Sequence, residues 1–384
     1  NEKLHRHLAS RYAGQANIHI LGFEKNVSLL LDSADLYLTK PGGISVTEAA
    51  AKVGPSGQEM QVAEYFAEQF RPLVDEVTVD NLFNVIAHKK GTGPRVALFA
   101  HMDEISLMVT AIEDDGSLRL GNVGGVDPRI LPASRVWVHG KERLFGTIGA
   151  LPPHLMSAAD RSKNYDRKDL YVDVGYPAEK VRELVHVGDL VTFNVPATPL
   201  LNGQFASKTM DDRACVTMLL ATAERLKGLK CDADVYFVGS TQEEIGSQGA
   251  KTAAFHIDPD LAIAIDVDHA TIPGSRPNTT VDLDSLAASV GPYIQPKLLE
   301  RLQNCAKAHH VKLQITAAER RTYTDLDWAG LARAGVPSVL LSLPLKYMHT
   351  SVETIDLEAL REGSRLLAHY LSELDAGWED DLWI

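Results

Sequence analysis

Short uninterrupted apolar runs alternate with segments of helical period along most of the chain. Residues 96–100, 235–239 and 261–265 are such runs, each followed by polar residues. That is the pattern of strands buried on both faces of a sheet and ending at a site. Residues 58–70 read as a helix, with Val62, Ala63, Phe66 and Phe70 on one face. Ser56 and Glu59, three apart, have capping-box spacing at its start. The later part of 210–226 and residues 357–374 also read as helices. The alternation predicts an α/β domain. Between 113 and 205 the texture changes: glycine and proline become frequent, and strand-like pieces shorten to 136–139, 170–174 and 190–194. This stretch reads as a small β-rich module inserted into the α/β domain.

Composition narrows the class. With 384 residues, 45% hydrophobic and 23% charged, the chain is globular and long enough for two or three domains. A net charge of -13 speaks against nucleic-acid binding, which needs clustered Lys and Arg. No apolar run reaches the roughly 18 residues of a membrane helix. Only Cys215, Cys231 and Cys305 are present, an odd number without CxxC spacing, so neither a disulfide scaffold nor a thiolate metal site is expected. The first residues lack the apolar core of a signal peptide, and the chain starts at Asn1, as in a fragment or processed product. A soluble cytoplasmic enzyme is the class that remains.

Five separated segments carry candidate chemistry. In Phe99-Ala100-His101-Met102-Asp103, alternate residues share a side, so His101 and Asp103 can act together. Asp211 and Asp212 follow Lys208-Thr209-Met210 at a helix start, where a carboxylate either answers the helix dipole or bridges metals. Glu243 and Glu244 leave a buried strand in diverging directions, so one can bind metal while the other faces its water. Asp266 ends the apolar run at 261–265, and His349 follows another at 337–343; strand carboxyl ends are where open α/β sheets carry their sites. Two His and several carboxylates without cysteine suit two Zn²⁺- or Co²⁺-like ions sharing one carboxylate, as in a dinuclear hydrolase. A deacylase or carboxypeptidase would fit the same residues.

The strings AHMDEI, MDDRA, TQEEIG, AIDV and YMHTSVE, in this order, resemble the tetrahedral-aminopeptidase and glutamyl-aminopeptidase family of dinuclear metallopeptidases. The resemblance spans about residues 47–374 and includes GPSGQE, LYVDVG and VGDLVTF. It implies a mixed-sheet catalytic domain of the phosphorylase/hydrolase-like type over 47–112 and 206–384. Residues 113–205 would form an inserted β-barrel-like assembly domain. By resemblance, His101 and Asp266 hold one metal, Glu244 and His349 the other, and Asp211 bridges. Glu243 is then the general base toward a metal-bridging water and the acid toward the leaving amine, while Asp103 orients His101. The family also implies a cis bond at Asp211–Asp212, two divalent ions per subunit, peptide substrates and cytoplasmic homo-oligomers, often dodecamers. Ser106, Cys215, Ser247 and the Asp325-Leu326-Asp327-Trp328 stretch depart from the usual family residues, but none is a ligand.

The N-terminal stretch resembles something else. LGFEKNVSLLLDSADLYLTKPGGISVTEA is similar to the nucleotide-sugar-binding half of a diacylglycerol-glucosyltransferase-type GT-B enzyme. Residues 1–46 are therefore expected to be a glycosyltransferase-like remnant, with the seam between Val46 and Val53. A remnant binding a nucleotide sugar through Lys40 to Gly43 is a further alternative.

Overall fold

A computed structural model describes residues 43–276, 279–375, 377–380 and 382. Apart from its last few residues, the glycosyltransferase-like stretch, including Lys40 to Gly42, lies outside the described residues.

The long apolar runs form the centre of an eight-stranded mixed sheet. In spatial order its strands are Glu76–Val79, Val85–Lys89, Asp234–Ser240, Arg95–His101, Leu261–His269, Ser338–Leu345, Leu286–Val290 and Leu313–Ala317. The four from Asp234–Ser240 to Ser338–Leu345 are mutually parallel. Such strands bury both faces, and Arg95–His101 shows how. Val96, Leu98 and Ala100 join the core on one side, while Ala97 and Phe99 join that on the other.

The first side is covered by the helices Met60–Phe70, Met210–Leu226, Pro296–Ala308 and Leu357–Ser372. The amphipathic period of Pro296–Ala308 buries Leu298, Leu299, Leu302, Cys305 and Ala306. Its start is set by Pro296 at the first helical position and by the Gln295 side chain, which accepts the N–H groups of Lys297 and Leu298. Asp356 caps Leu357–Ser372 in the same way, through Glu358 and Ala359. The second side is covered by Gln248–Ile257 and Leu326–Ala329. The helix Gly43–Ala51 opens the described chain, and Val46, Ala49 and Ala50 lie in the main core. Val46, expected in the N-terminal remnant, therefore packs with the catalytic domain.

The β-rich stretch is a closed antiparallel barrel of six strands. They run in the order Ser106–Ile112, Leu118–Val123, Leu170–Asp173, Arg143–Ala150, Arg135–His139 and Leu190–Phe193. Closure removes sheet edges, and the interior is filled by Leu107, Val109, Leu120, Val136, Val138, Val172 and Val191. The expected boundary at 113 needs correction, because the first barrel strand begins at Ser106. A third, three-stranded sheet joins Thr198–Pro199, Gln204–Ser207 and Glu353–Asp356, pairing Ser207 with Glu353.

The capping-box reading of Ser56 and Glu59 is not what these side chains do. The helix starts at Met60 without a side-chain cap. Ser56 Oγ instead donates to Asp103 at 2.6 Å, and Glu59 Oε1 accepts the N–H groups of Gly57 and Gln242 at 2.7 and 3.2 Å.

Candidate metal centre

Parallel register delivers the site. Ser240 pairs with His101, and Ser342 with Asp266, so the loops carrying Glu243, Glu244 and His349 leave the same edge as His101 and Asp266. The strand Arg95–His101 sits between Asp234–Ser240 and Leu261–His269, which both follow it in the chain. The strand order therefore reverses there, the position where open α/β sheets bind ligands. Thr209, Gln242, Ser247, Tyr347 and His349 around this edge have positive φ between 56° and 63°. Left-handed backbone at non-glycine residues is the kind of strain that gathers at working sites.

At the centre stands Asp211. His101 Nε2 is 3.1 Å from its Oδ1, and His349 Nε2 is 3.2 Å from its Oδ2 and 3.4 Å from Glu244 Oε1. Ligand atoms of His101, Asp211 and Glu244 lie within 4.8 Å of one another, as do those of His101, Asp212 and Asp266. The bond Asp211–Asp212 is cis. All five residues read as metal ligands in the sequence thus face one cleft of about 530 Å³, with Glu243 on its wall. Asp103 does not face the cleft. It lies 3.3 Å from His101 Nδ1 and accepts the N–H groups of Glu243 and Glu244 at 3.0 and 3.3 Å. One buried carboxylate therefore sets both the imidazole and the loop of the two glutamates.

Glu353, Gly124 and Gly125 were not singled out in the sequence, whereas Asp212 was read there together with Asp211. Glu353 accepts the N–H of Asp211 at 3.1 Å and of His349 at 2.9 Å, fastening two distant segments. Asp212 is wholly buried and accepts the N–H of His101 at 3.3 Å. The barrel loop supplies Gly124 and Gly125. A Cβ on Gly125 would sit 2.8 Å from His349 Nδ1, and one on Gly124 would sit 3.2 Å from Glu244 Cβ. Only glycine allows so close an approach. The MDDRA and YMHTSVE strings contain Asp212 and Glu353 without disclosing these contacts.

The electrostatics ask for cations. Burial, with nearby carboxylates, pushes Glu243 up to about 10 and Asp325 up to about 6. Burial likewise holds Asp212, Asp266 and Glu353 well above the usual carboxylate range. Asp211 goes the other way: burial opposes its ionisation, but hydrogen bonds from His101 and His349 bring it below the ordinary value. Asp212 Oδ1 and Asp325 Oδ1 are buried without a hydrogen-bond partner among the described residues. The one basic guanidinium on the cleft wall among the described residues, Arg321, is engaged with Asp327 at 3.2 Å. A crowd of buried carboxylates with the imidazoles of His101 and His349, and no uncommitted Lys or Arg on the cleft wall among the described residues, has the donor chemistry for divalent metal ions.

Fold and site together define a metal-dependent hydrolase built on a mixed sheet. The chain belongs to the M42 glutamyl aminopeptidase family, which matches residues 84–366. It is a metal-dependent aminopeptidase, and membership implies divalent metal cofactors. A lysyl aminopeptidase of Pyrococcus furiosus is 37% identical over 327 residues, covering 84% of this chain and 94% of the relative. Among solved structures, a TET aminopeptidase from a marine-sediment Thaumarchaeota archaeon superposes with a TM-score of 0.85 at 29% identity, covering 88% of this chain and 98% of its own. The TET1 peptidase of Pyrococcus horikoshii, which can assemble into a tetrahedron or a large octahedral shell, gives 0.76 at 30% identity, covering 86% and 99%. These similarities favour neither the deacylase nor the carboxypeptidase reading. A separate, partial similarity links 30% of the chain to 29% of a processive diacylglycerol β-glucosyltransferase of Staphylococcus aureus, 28% identical over 123 residues.

Proposed function

We propose that the cleft removes N-terminal residues from peptides with two divalent cations, zinc or cobalt. His101 and Asp266 would hold one, Glu244 and His349 the other, with Asp211 shared. The observation that carries this reading is Asp211 itself, whose two oxygens face different imidazoles at 3.1 and 3.2 Å. When bound, the cations polarise the scissile carbonyl and lower the pKa of a water toward neutrality. Glu243 takes the proton of the attacking water and passes it to the leaving amine nitrogen as the C–N bond breaks. Its enclosed position keeps its affinity for protons high enough for both tasks, while Ser247 Oγ, donating at 3.2 Å, fixes its direction. Asp103 holds the His101 ring through Nδ1, so that Nε2 faces the cleft.

Asp268 supports a finer reading of the substrate. It lies two residues beyond Asp266 on the same strand, hence on the same face, and lines the cleft. Among the described residues its side chain has one hydrogen bond, from the N–H of His269. A basic N-terminal side chain would supply its counter-charge, in keeping with the lysyl aminopeptidase similarity. The proposal extends to a cytoplasmic homo-oligomer, dodecameric in the tetrahedral form. A screen of aminoacyl-p-nitroanilides with and without Zn²⁺, Co²⁺ or Mn²⁺ tests the chemistry. Turnover should need metal, prefer Lys and Arg, and vanish when the substrate amine is acetylated. Turnover of acetylated substrates would remove the aminopeptidase assignment, and a preference for Glu would remove the role of Asp268. Light scattering on the purified protein checks the assembly.

A further inference from the structure

The last turns of two packed helices bring a second set of metal-binding side chains together, and none of them lines the catalytic cleft. Cys305 and His309 end the helix Pro296–Ala308. The N–H of His309 donates to the Cys305 carbonyl at 3.0 Å, which puts both side chains on one face. His369 and Glu373 end the helix Leu357–Ser372 with the same spacing, and the N–H of Glu373 donates to the His369 carbonyl at 3.0 Å. The two pairs meet. Cys305 Sγ, a ring nitrogen of His309 and a carboxylate oxygen of Glu373 lie within 4.8 Å of one another. His309 Nε2 stands 3.0 Å from Glu373 Oε1, and the His369 ring is stacked on His309 with centroids 3.6 Å apart.

We propose that this cluster is a peripheral metal site for a zinc-like divalent cation, bound by Cys305, His309 and Glu373. Thiolate, imidazole and carboxylate together are the ligands such an ion takes, whereas magnesium or calcium would want oxygen alone. Two helix carboxyl ends point their partial negative charge at the spot, which favours a cation there. The nearest guanidinium, Arg365, is answered: it bonds to Glu362 and to the His309 carbonyl. Burial, then Glu373, pushes the Cys305 thiol up to about 12, so binding must release the thiol proton to solvent. The site would clamp two of the four helices that cover one face of the sheet, and so act on stability and not on turnover.

Cobalt titration of the chelator-stripped full chain tests this, read by thiolate-to-cobalt charge-transfer absorption in the near ultraviolet. The expected result is a band that saturates at one ion per chain and is absent from Cys305→Ser. Glu373→Gln, at an exposed position, should weaken that binding by about tenfold. Cys215→Ser should keep the band, since Cys215 lies beside Asp212 and is the thiol to be excluded. Cys305→Ser should turn over substrate within about twofold of the wild type. No band in the wild type, or a band that survives Cys305→Ser, overturns the proposal. An unchanged cobalt affinity in Glu373→Gln overturns the ligand set.

Discussion

Glu104 and the carboxylates of the cleft are buried alike and behave in opposite ways. Glu104, 2% exposed, is paired with Arg213 at 3.1 Å and with Lys208, and it accepts the N–H of Gly54. Burial opposes its ionisation, but Lys208 and Arg213 overcome that and hold it below the ordinary carboxylate value. Asp212, Asp266 and Glu243 are enclosed to a similar degree, and burial with neighbouring carboxylates drives them up. One group is neutralised by the chain's own cations, while the other is left to be neutralised from outside. That contrast locates the metal centre better than any single ligand does.

The contrast can be broken at several points. Glu243→Gln should keep its metal content while losing about 10²–10⁴-fold in kcat, because it removes a proton carrier and no ligand. Metal analysis beside steady-state kinetics checks this, and a kcat near wild type would reject the assigned base. Glu104→Gln should destabilise the protein by about 3–5 kcal/mol at pH 7, since it strands two buried cations. Because the folded pKa is depressed, Glu104's contribution is complete above its ordinary value near 4.5 and fades as pH falls through the folded value. Denaturant melts should therefore show the wild type and variant converging only in acid.

Gly125→Ala should weaken one metal position about 10–100-fold, the size typical of disturbing a group that orients a ligand. Its Cβ would meet His349 Nδ1 at 2.8 Å. Competition with a chromophoric chelator measures the change, and an unaltered affinity would deny the barrel loop any part in the site. Chelation should give the smallest signal, a pH trend. Without cations, Glu243, Asp212 and Asp266 have raised folded values, so they favour folding below the ordinary carboxylate range. That stability drains away as pH rises toward about 10 for Glu243. Thermal melts of stripped and loaded protein should thus diverge with increasing pH; parallel curves would contradict the charge argument.

The sequence was most readable where chemistry follows a buried strand. His101, Asp266 and the Glu243–Glu244 pair each end an apolar run, and strand ends in a parallel sheet share one edge. Five ordered motifs then allowed the family resemblance. Residues whose role depends on tertiary approach stayed hidden. Glu353 reaches Asp211 across 142 positions, and Ser56 reaches Asp103 across 47. Ser56 and Glu59 looked like a helix cap because capping boxes and site scaffolds use the same polar residues at the same spacing. The start of the barrel was misplaced for a related reason: Ser106–Ile112 follows His101 with little turn chemistry between, so the chain passes from one domain to the other almost unmarked. Nothing local to Gly124 and Gly125 shows that Glu244 and His349 pack against them.

Crystals of metal-loaded protein, measured at the zinc or cobalt absorption edge, show whether Asp211 is shared between two cations. Two anomalous peaks are expected in the cleft, about 3.5–4 Å apart, one beside each Asp211 oxygen, and neither in Asp211→Asn. A single peak, or a pair away from Asp211, would rule the sharing out.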